Sequence, residues 1–302
     1  MTTQITAEFA GKTVRDWFFS NGFSNNQIKR LKSLDDGILL NGQRVTVRRL
    51  LSPGDTLSLR LEDDDGNPAL VPTEMPLSVL YEDENIIALD KPAGMPTHPS
   101  HGHFEDTLAN GLAFLFGKRG EPFIFRAVNR LDRGTSGIVL VAKNSKAAAD
   151  LSELMKAGRI KKTYVALVNG AMSGSGVIDR PIRRQTESII TREVCDIDLP
   201  GAKRAVSEYR VISSGGGWSF VELNPVTGRT HQLRVHLSSV GHPIAGDGLY
   251  GTAETVPTAL DRLFDRPALH CRRLRIFFAD SDILIEAPLP DDIRAVVGET
   301  ES

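Results

Sequence analysis

Apolar residues recur at helical spacing near the start of the chain, first Val14, Trp17 and Phe18, then Ile28, Leu31 and Leu34, and predict two short amphipathic helices. Strand patterns follow. Gly37 to Val45 reads as a hairpin turning on Asn41-Gly42, and Ser52-Pro53-Gly54-Asp55 as a second turn feeding a strand over Thr56 to Leu59. The pattern then lapses over Glu62 to Pro68, which is acidic and turn-rich, so a small α+β unit over residues 1–62 and a linker over 63–76 are expected before a main unit at 77–302. The main unit opens with two apolar runs between Leu77 and Pro92, placed around an acidic turn. Lys91 to Pro99 holds too much proline and glycine to be other than a shaped loop. Ile138 to Ala142 is an unbroken apolar run that reads as a buried strand, and Ser145 is expected to cap a helix through Met155 that ends at Gly158. Arg159 to Val168 gives a basic entry to a further strand. Leu233, Leu237 and Val240 fall at i, i+4 and i+7 and mark a short helix, stopped by Gly241 and Pro243.

Composition is that of ordinary globular material: 302 residues, 40% hydrophobic and 25% charged, enough for one large core and a smaller module. A net charge of -2 argues against indiscriminate coating of nucleic acid but leaves room for local basic faces. One such face is expected in the first unit, where Lys29, Arg30, Lys32, Arg44, Arg48 and Arg49 crowd the second helix and the hairpin. Only two cysteines occur, Cys195 and Cys271, without a His or Cys at metal spacing, so a disulfide framework, a zinc site and other bound metals are not expected. The first residues lack the marks of a signal peptide, and no run of about 18 apolar residues occurs. A cytoplasmic, non-membrane protein is expected.

The chemistry concentrates around Asn129-Arg130-Leu131-Asp132-Arg133-Gly134-Thr135-Ser136-Gly137. A carboxylate between two arginines, in a tight turn at the mouth of a buried strand, is held in place; the same residues also suit a plain Asp-initiated turn with a surface ion pair. Thr227 to Leu237 forms a second cluster, with Arg229, His231 and Arg234 near the start of a helix, where an anion is favoured. His231 and His236 accompany no Ser or Cys nucleophile and are read as structural. Gly246 to Gly251 reads as simple turn structure.

In order along the chain, N-R-L-D-R-G-T-S-G, K-K-T-Y, G-R-T-H-Q-L-R-V-H, G-H-P-I-A-G-D-G-L-Y-G and A-L-H-C-R-R-L resemble the motifs of RluA-type pseudouridine synthases. The basic helix, the G-I-L-L-N-G-Q-R-V hairpin and the P-G-D-T-L turn resemble the alpha-L RNA-binding motif of a small-subunit ribosomal protein. Together the two resemblances span nearly the whole chain. They imply an α+β pseudouridine synthase fold, with a mixed, mainly antiparallel curved sheet and flanking helices, preceded by a small α+β RNA-binding domain. The implied activity isomerises uridine in structured RNA, with ribosomal RNA favoured over transfer RNA, and needs no metal or cofactor; nothing in the sequence demands more than a monomer.

By the same resemblance Asp132 is the essential aspartate, which attacks the ribose anomeric carbon or removes the neighbouring proton. Arg234 is the arginine that pairs with it and favours its charged form. Tyr164 is the aromatic residue that stacks on a flipped-out base. Arg130 is expected to assist extrusion or bind phosphate, and Arg229, Lys29, Arg30, Lys32 and Arg44 to contact RNA. One departure stands out: the family commonly has histidine where this chain has Asn129, so altered loop contacts rather than lost activity are expected. Two competing readings are a non-catalytic RNA-binding or ribosome-assembly factor on the same fold, and an unrelated hydrolase that pairs Asp132 with a histidine.

Overall fold

The computed structural model describes residues 2–21, 23, 25–60, 70–188, 190–251, 258–279 and 281–298, and of residues 25–27 and 30 the backbone only. The chain divides into two compact units, Met1–Asp65 and Gly66–Ser302.

In the first unit, β1 (Thr2–Gln4) precedes helices α1 (Val14–Ser20) and α2 (Asn25–Ser33), followed by β2 (Ile38–Leu40), β3 (Gln43–Arg44) and β4 (Thr56–Leu59). Thr13 starts α1 with a reciprocal capping box: its hydroxyl accepts from Asp16 N–H, and its own N–H donates to the Asp16 carboxylate at 2.9 Å. Asn41 and Gly42 both take positive φ, as the Asn-Gly hairpin requires. The strands form one sheet in the order β1-β4-β2-β3. Val14, Trp17 and Phe18 of α1 and Ile28 and Leu31 of α2 are buried with Leu40 and Leu57, so the helical periodicity marks the packed face.

The second unit runs β5 (Ser78–Glu82), β6 (Ile86–Lys91), α3 (Leu108–Lys118), β7 (Ser136–Ala142), α4 (Ser145–Lys156), β8 (Ile160–Asn169) and β9 (Ser175–Asp179). It continues with β10 (Ile182–Arg184), β11 (Arg192–Val194), β12 (Val206–Gly215), β13 (Trp218–Pro225), α5 (Gln232–Ser239), β14 (Leu269–Phe277), β15 (Asp282–Glu286) and α6 (Asp291–Val297). Among the described residues nine strands form one sheet, ordered β5-β6-β7-β14-β8-β13-β12-β9, with β15 beside β14. Only β7 and β14 run parallel, and only over Ser136–Gly137 and His270–Cys271, so the sheet is mixed and mainly antiparallel. At that contact Gly137 has φ +107°, and a Cβ there would fall on the Cys271 backbone. Every residue of β7 is buried, which is why its sequence is continuously apolar rather than alternating.

Several expectations are corrected. The cap of α4 is Asn144, whose side chain accepts from Ala147 N–H at 2.8 Å; Ser145 is already helical. Val240 does not continue the helical face of Leu233 and Leu237: the helix ends at Ser239, and Val240 is its exposed C-cap with non-helical backbone angles. Residues 70–76 are not free linker but part of the second unit, since Asn110 donates to Val71 O at 2.7 Å and Thr73 N–H donates to Asn110 O at 3.2 Å. Residues 63–69 of the expected linker lie outside the described residues.

Candidate active site

Asp132 sits in the turn that leads into β7, where Thr135 N–H donates to Asp132 O at 3.0 Å. A neighbouring loop holds that turn from below. Thr97 Oγ1 donates to Leu131 O at 3.0 Å, and Gly94 N–H to Arg133 O at 2.8 Å. Lys91, fully buried at the end of β6, donates to Pro92 O, Met95 O and Arg133 O at 2.8, 2.7 and 3.3 Å. Burial pushes the Lys91 ammonium down to about 7, against the pull of Asp132, while three carbonyl acceptors match the three N–H donors of the charged form. The Lys-Pro-Ala-Gly loop therefore carries a site-building lysine that the sequence shows only as a proline-rich turn.

Asn129 explains how the turn begins. Beyond Gly137, β7 parts from β14, and residues 126–128 run along its open edge, with Val128 N–H donating to Leu140 O at 2.8 Å. The Asn129 amide extends that ladder: Nδ2 donates to Ile138 O at 2.9 Å and Oδ1 accepts from Leu140 N–H at 2.8 Å. A side-chain amide reproduces the donor and acceptor of a peptide group, so asparagine serves here as a further rung.

Arg234, on the first turn of α5, reaches Asp132 with Nη1 to Oδ2 at 3.3 Å. Its other edge is gripped by Asp247, with Nε to Oδ2 and Nη2 to Oδ1 both at 2.7 Å. The Asp247 side chain is 0% exposed and that of Arg234 7%, whereas that of Asp132 is 32% exposed. One buried, bidentate carboxylate thus aims a single guanidinium N–H at an accessible one. The Gly246–Gly251 segment is therefore more than the turn it was expected to be. Gly246 has φ +69° and lies so close to the Arg266 backbone that a Cβ has no room, which lets the loop fold back under Arg234. Tyr250 closes the arrangement, with its ring 5.0 Å from the Arg234 guanidinium carbon.

Tyr164 lies on β8 between β13 and β14, paired with Leu223 and Cys271. Burial raises its phenol well above the usual range, with the Cys271 thiol and the charge of Asp132 adding to the rise, so the ring is a neutral phenol close to Asp132. His236 is structural as expected: buried, with Nδ1 on Ser207 Oγ and Nε2 on Arg180 O, each at 2.9 Å. His231 is not so remote, since its Nε2 lies 3.8 Å from Asp132 Oδ2.

Asp132, Arg234 and Tyr164, far apart in sequence, are thus brought together, while Lys91, Asp247, Tyr250 and His231 are partners that sequence reasoning missed. Arg130 is exposed two residues before Asp132, and its charge helps lower His98 after burial does. Arg229 is exposed in the turn before α5, with Nε donating to Arg204 O at 3.0 Å. Lys29, Lys32 and Arg44 are exposed on the first unit, where Arg44 pairs with Asp35 at 2.6 Å; the Arg30 side chain lies outside the described residues. Among the described residues no cluster of His, Cys, Asp and Glu is arranged to hold a metal ion, and no helix is long and apolar enough to cross a membrane.

Comparison with known proteins agrees with this arrangement. A family model described as RNA pseudouridylate synthase matches residues 85–239, which contain Asp132, Tyr164 and Arg234. The uncharacterized RNA pseudouridine synthase YjbO of Bacillus subtilis (strain 168) is 34% identical over 288 residues, 94% of this chain and 98% of that one. The ribosomal large subunit pseudouridine synthase D of Yersinia pestis is 32% identical over 295 residues, covering 92% and 88%. Among solved structures, human RNA pseudouridylate synthase domain containing 1 aligns with a TM-score of 0.59 at 30% identity, over 70% of this chain and 83% of that one. With these matches and the expected mixed sheet, the chain belongs to the RNA pseudouridylate synthase family, of the RluA type, and is an RNA pseudouridine synthase.

Proposed function

We propose that Asp132 is the reacting carboxylate and that the preferred substrate is a uridine in large-subunit ribosomal RNA. The observation that carries the first part is the pairing of the partly exposed Asp132 with Arg234, whose guanidinium Asp247 fixes from behind. The second part is supported by relatives named ribosomal large subunit pseudouridine synthase D. In the reaction the bond between uracil N1 and ribose C1′ breaks, the base turns, and C5 is joined to C1′. The C5 proton is then lost and N1 regains one. Asp132 serves by attacking C1′ or by taking the proton on C2′, and in either route it acts as an anion that Arg234 holds in position. Tyr164 offers a neutral aromatic face on which the extruded base stacks, while Arg130 occupies the rim where it assists extrusion.

The first unit supplies affinity through Lys29, Arg30, Lys32 and Arg44, which contact phosphates and read the shape of structured RNA. The enzyme works as a monomer.

The test follows tritium released to water from RNA labelled at uridine carbon 5, using large-subunit ribosomal RNA and transfer RNA transcripts separately. Release from ribosomal RNA that disappears in Asp132→Ala, with RNA binding retained, is the expected result. Full release by that variant overturns the catalytic assignment, and release from transfer RNA alone overturns the substrate.

A further inference from the structure

His231 enters α5 with φ +57° and ψ +17°, a left-handed conformation that costs a side-chain-bearing residue energy and that, among the described non-glycine residues, only Asn41 shares. The strain has a visible product. It turns the ring so that Nδ1 meets the Tyr250 hydroxyl at 2.7 Å while Nε2 faces Asp132. The Tyr250 oxygen accepts the Arg192 N–H at 2.9 Å, and among the described residues its own proton has no acceptor but His231 Nδ1. That bookkeeping assigns the tautomer: Nδ1 accepts and Nε2 carries the hydrogen. Burial lowers His231 below its ordinary range against the opposing charge of Asp132, with Arg234 and Arg192 adding to the lowering, so the ring is neutral at pH 7. Nε2–H makes no hydrogen bond among the described residues, and the 3.8 Å to Asp132 Oδ2 is too long for a direct one.

We propose that His231 donates Nε2–H to the 2′-hydroxyl of the target ribose, making the site selective for RNA over DNA. The inference rests on the reading of Asp132 as the reacting carboxylate. On either route that carboxylate lies against C1′ or C2′, and the polar group of the ribose adjoining both is the 2′-hydroxyl. A hydroxyl lying against Asp132 and Nε2 donates to the carboxylate and accepts from the imidazole, so one group fills a gap the protein leaves open. A neutral imidazole suits a neutral hydroxyl, and an RNA site built to bond that hydroxyl leaves a donor unpaired when DNA enters.

The test uses a synthetic RNA stem-loop carrying a uridine that the enzyme modifies, and the same oligonucleotide with 2′-deoxyuridine at that one position as competitor. His231→Asn keeps a residue suited to the left-handed backbone but is too short to reach. His231→Gln puts an amide N–H near the place of Nε2. In His231→Asn, kcat/KM on the uridine RNA should fall by about tenfold, the order expected of one lost hydrogen bond with a buried partner. The inhibition constant of the deoxyuridine RNA should not rise by more than about twofold, because the bond is absent from that complex in both proteins. His231→Gln should recover most of the loss. Equal weakening toward both RNAs, or no loss toward either, overturns the proposal, as does a His231→Gln variant no better than His231→Asn. Asp132→Ala run alongside separates the two readings: its retained activity removes the premise, whereas its inactivity with no RNA-specific loss at His231 removes this inference alone.

Discussion

Asp247 has no exposed side-chain surface, yet it decides where Arg234 points. Replacing it by asparagine keeps the shape but leaves a buried guanidinium with Asp132 as its remaining ionic partner, a change of the kind that costs about 3–5 kcal/mol. Asp247→Asn should therefore unfold at lower urea, and in its folded form lose kcat more than it gains KM, because the misplaced Arg234 no longer orders Asp132. An unchanged urea midpoint would remove Asp247 from this role. The residue was unreadable from the sequence for a physical reason: glycine on either side gives it the local signature of a turn, and its partner lies 13 positions away. Asp132, Arg234 and Tyr164 were legible only through the order of whole motifs, since the first two are separated by 102 positions and no periodicity joins them. Lys91 was hidden in the same way, because a proline-rich loop discloses its shape but not which side chain it wraps around.

At the scale of elements, local rules carried the hairpin at Asn41-Gly42, the face of α1 and α2 and the buried run of β7. They misplaced the start of α4 by one residue because asparagine and serine stand side by side and both cap well. They could not show that β7 needs a rung from Asn129. Leucine at position 129 leaves Ile138 O and Leu140 N–H without those partners in a buried place, so Asn129→Leu should destabilise the protein by about 2–4 kcal/mol in urea unfolding. Asn129→Asp should lie between, since a carboxylate still accepts from Leu140 N–H but faces Ile138 O with no hydrogen to give. Equal stability of all three proteins would contradict the ladder role. The departure from the family's usual histidine is thus met by a built contact rather than by a loosened loop.

For the whole molecule, two buried histidines and the half-buried His231 couple stability to acid. Burial lowers His231, His236 and His270 from the ordinary 6.5, His270 to about 3. The unfolded chain takes up protons as pH falls through 6.5 while the fold resists, so the unfolded state binds more protons and stability drops. Urea midpoints should decline between pH 6.5 and about 5, before carboxylates titrate, and a flat midpoint there would contradict neutral buried rings. The chain divides into two units, and residues 70–76 belong to the second through bonds to α3 that composition does not disclose. If the first unit lends affinity alone, deleting residues 1–62 should weaken RNA binding and flatten its salt dependence while the same uridine is still modified. A changed position would contradict it. The strand order, with one short parallel contact in an otherwise antiparallel sheet, rests on pairings between distant segments that no local pattern discloses; the family resemblance implies only a mixed, mainly antiparallel sheet. What most directly tests Asp132 as the reacting carboxylate is a carbodiimide map of pseudouridine in total RNA from a deletion strain complemented with wild-type protein or Asp132→Ala. One or a few ribosomal positions should vanish on deletion and return only with wild-type protein. Their return with Asp132→Ala would contradict the assignment.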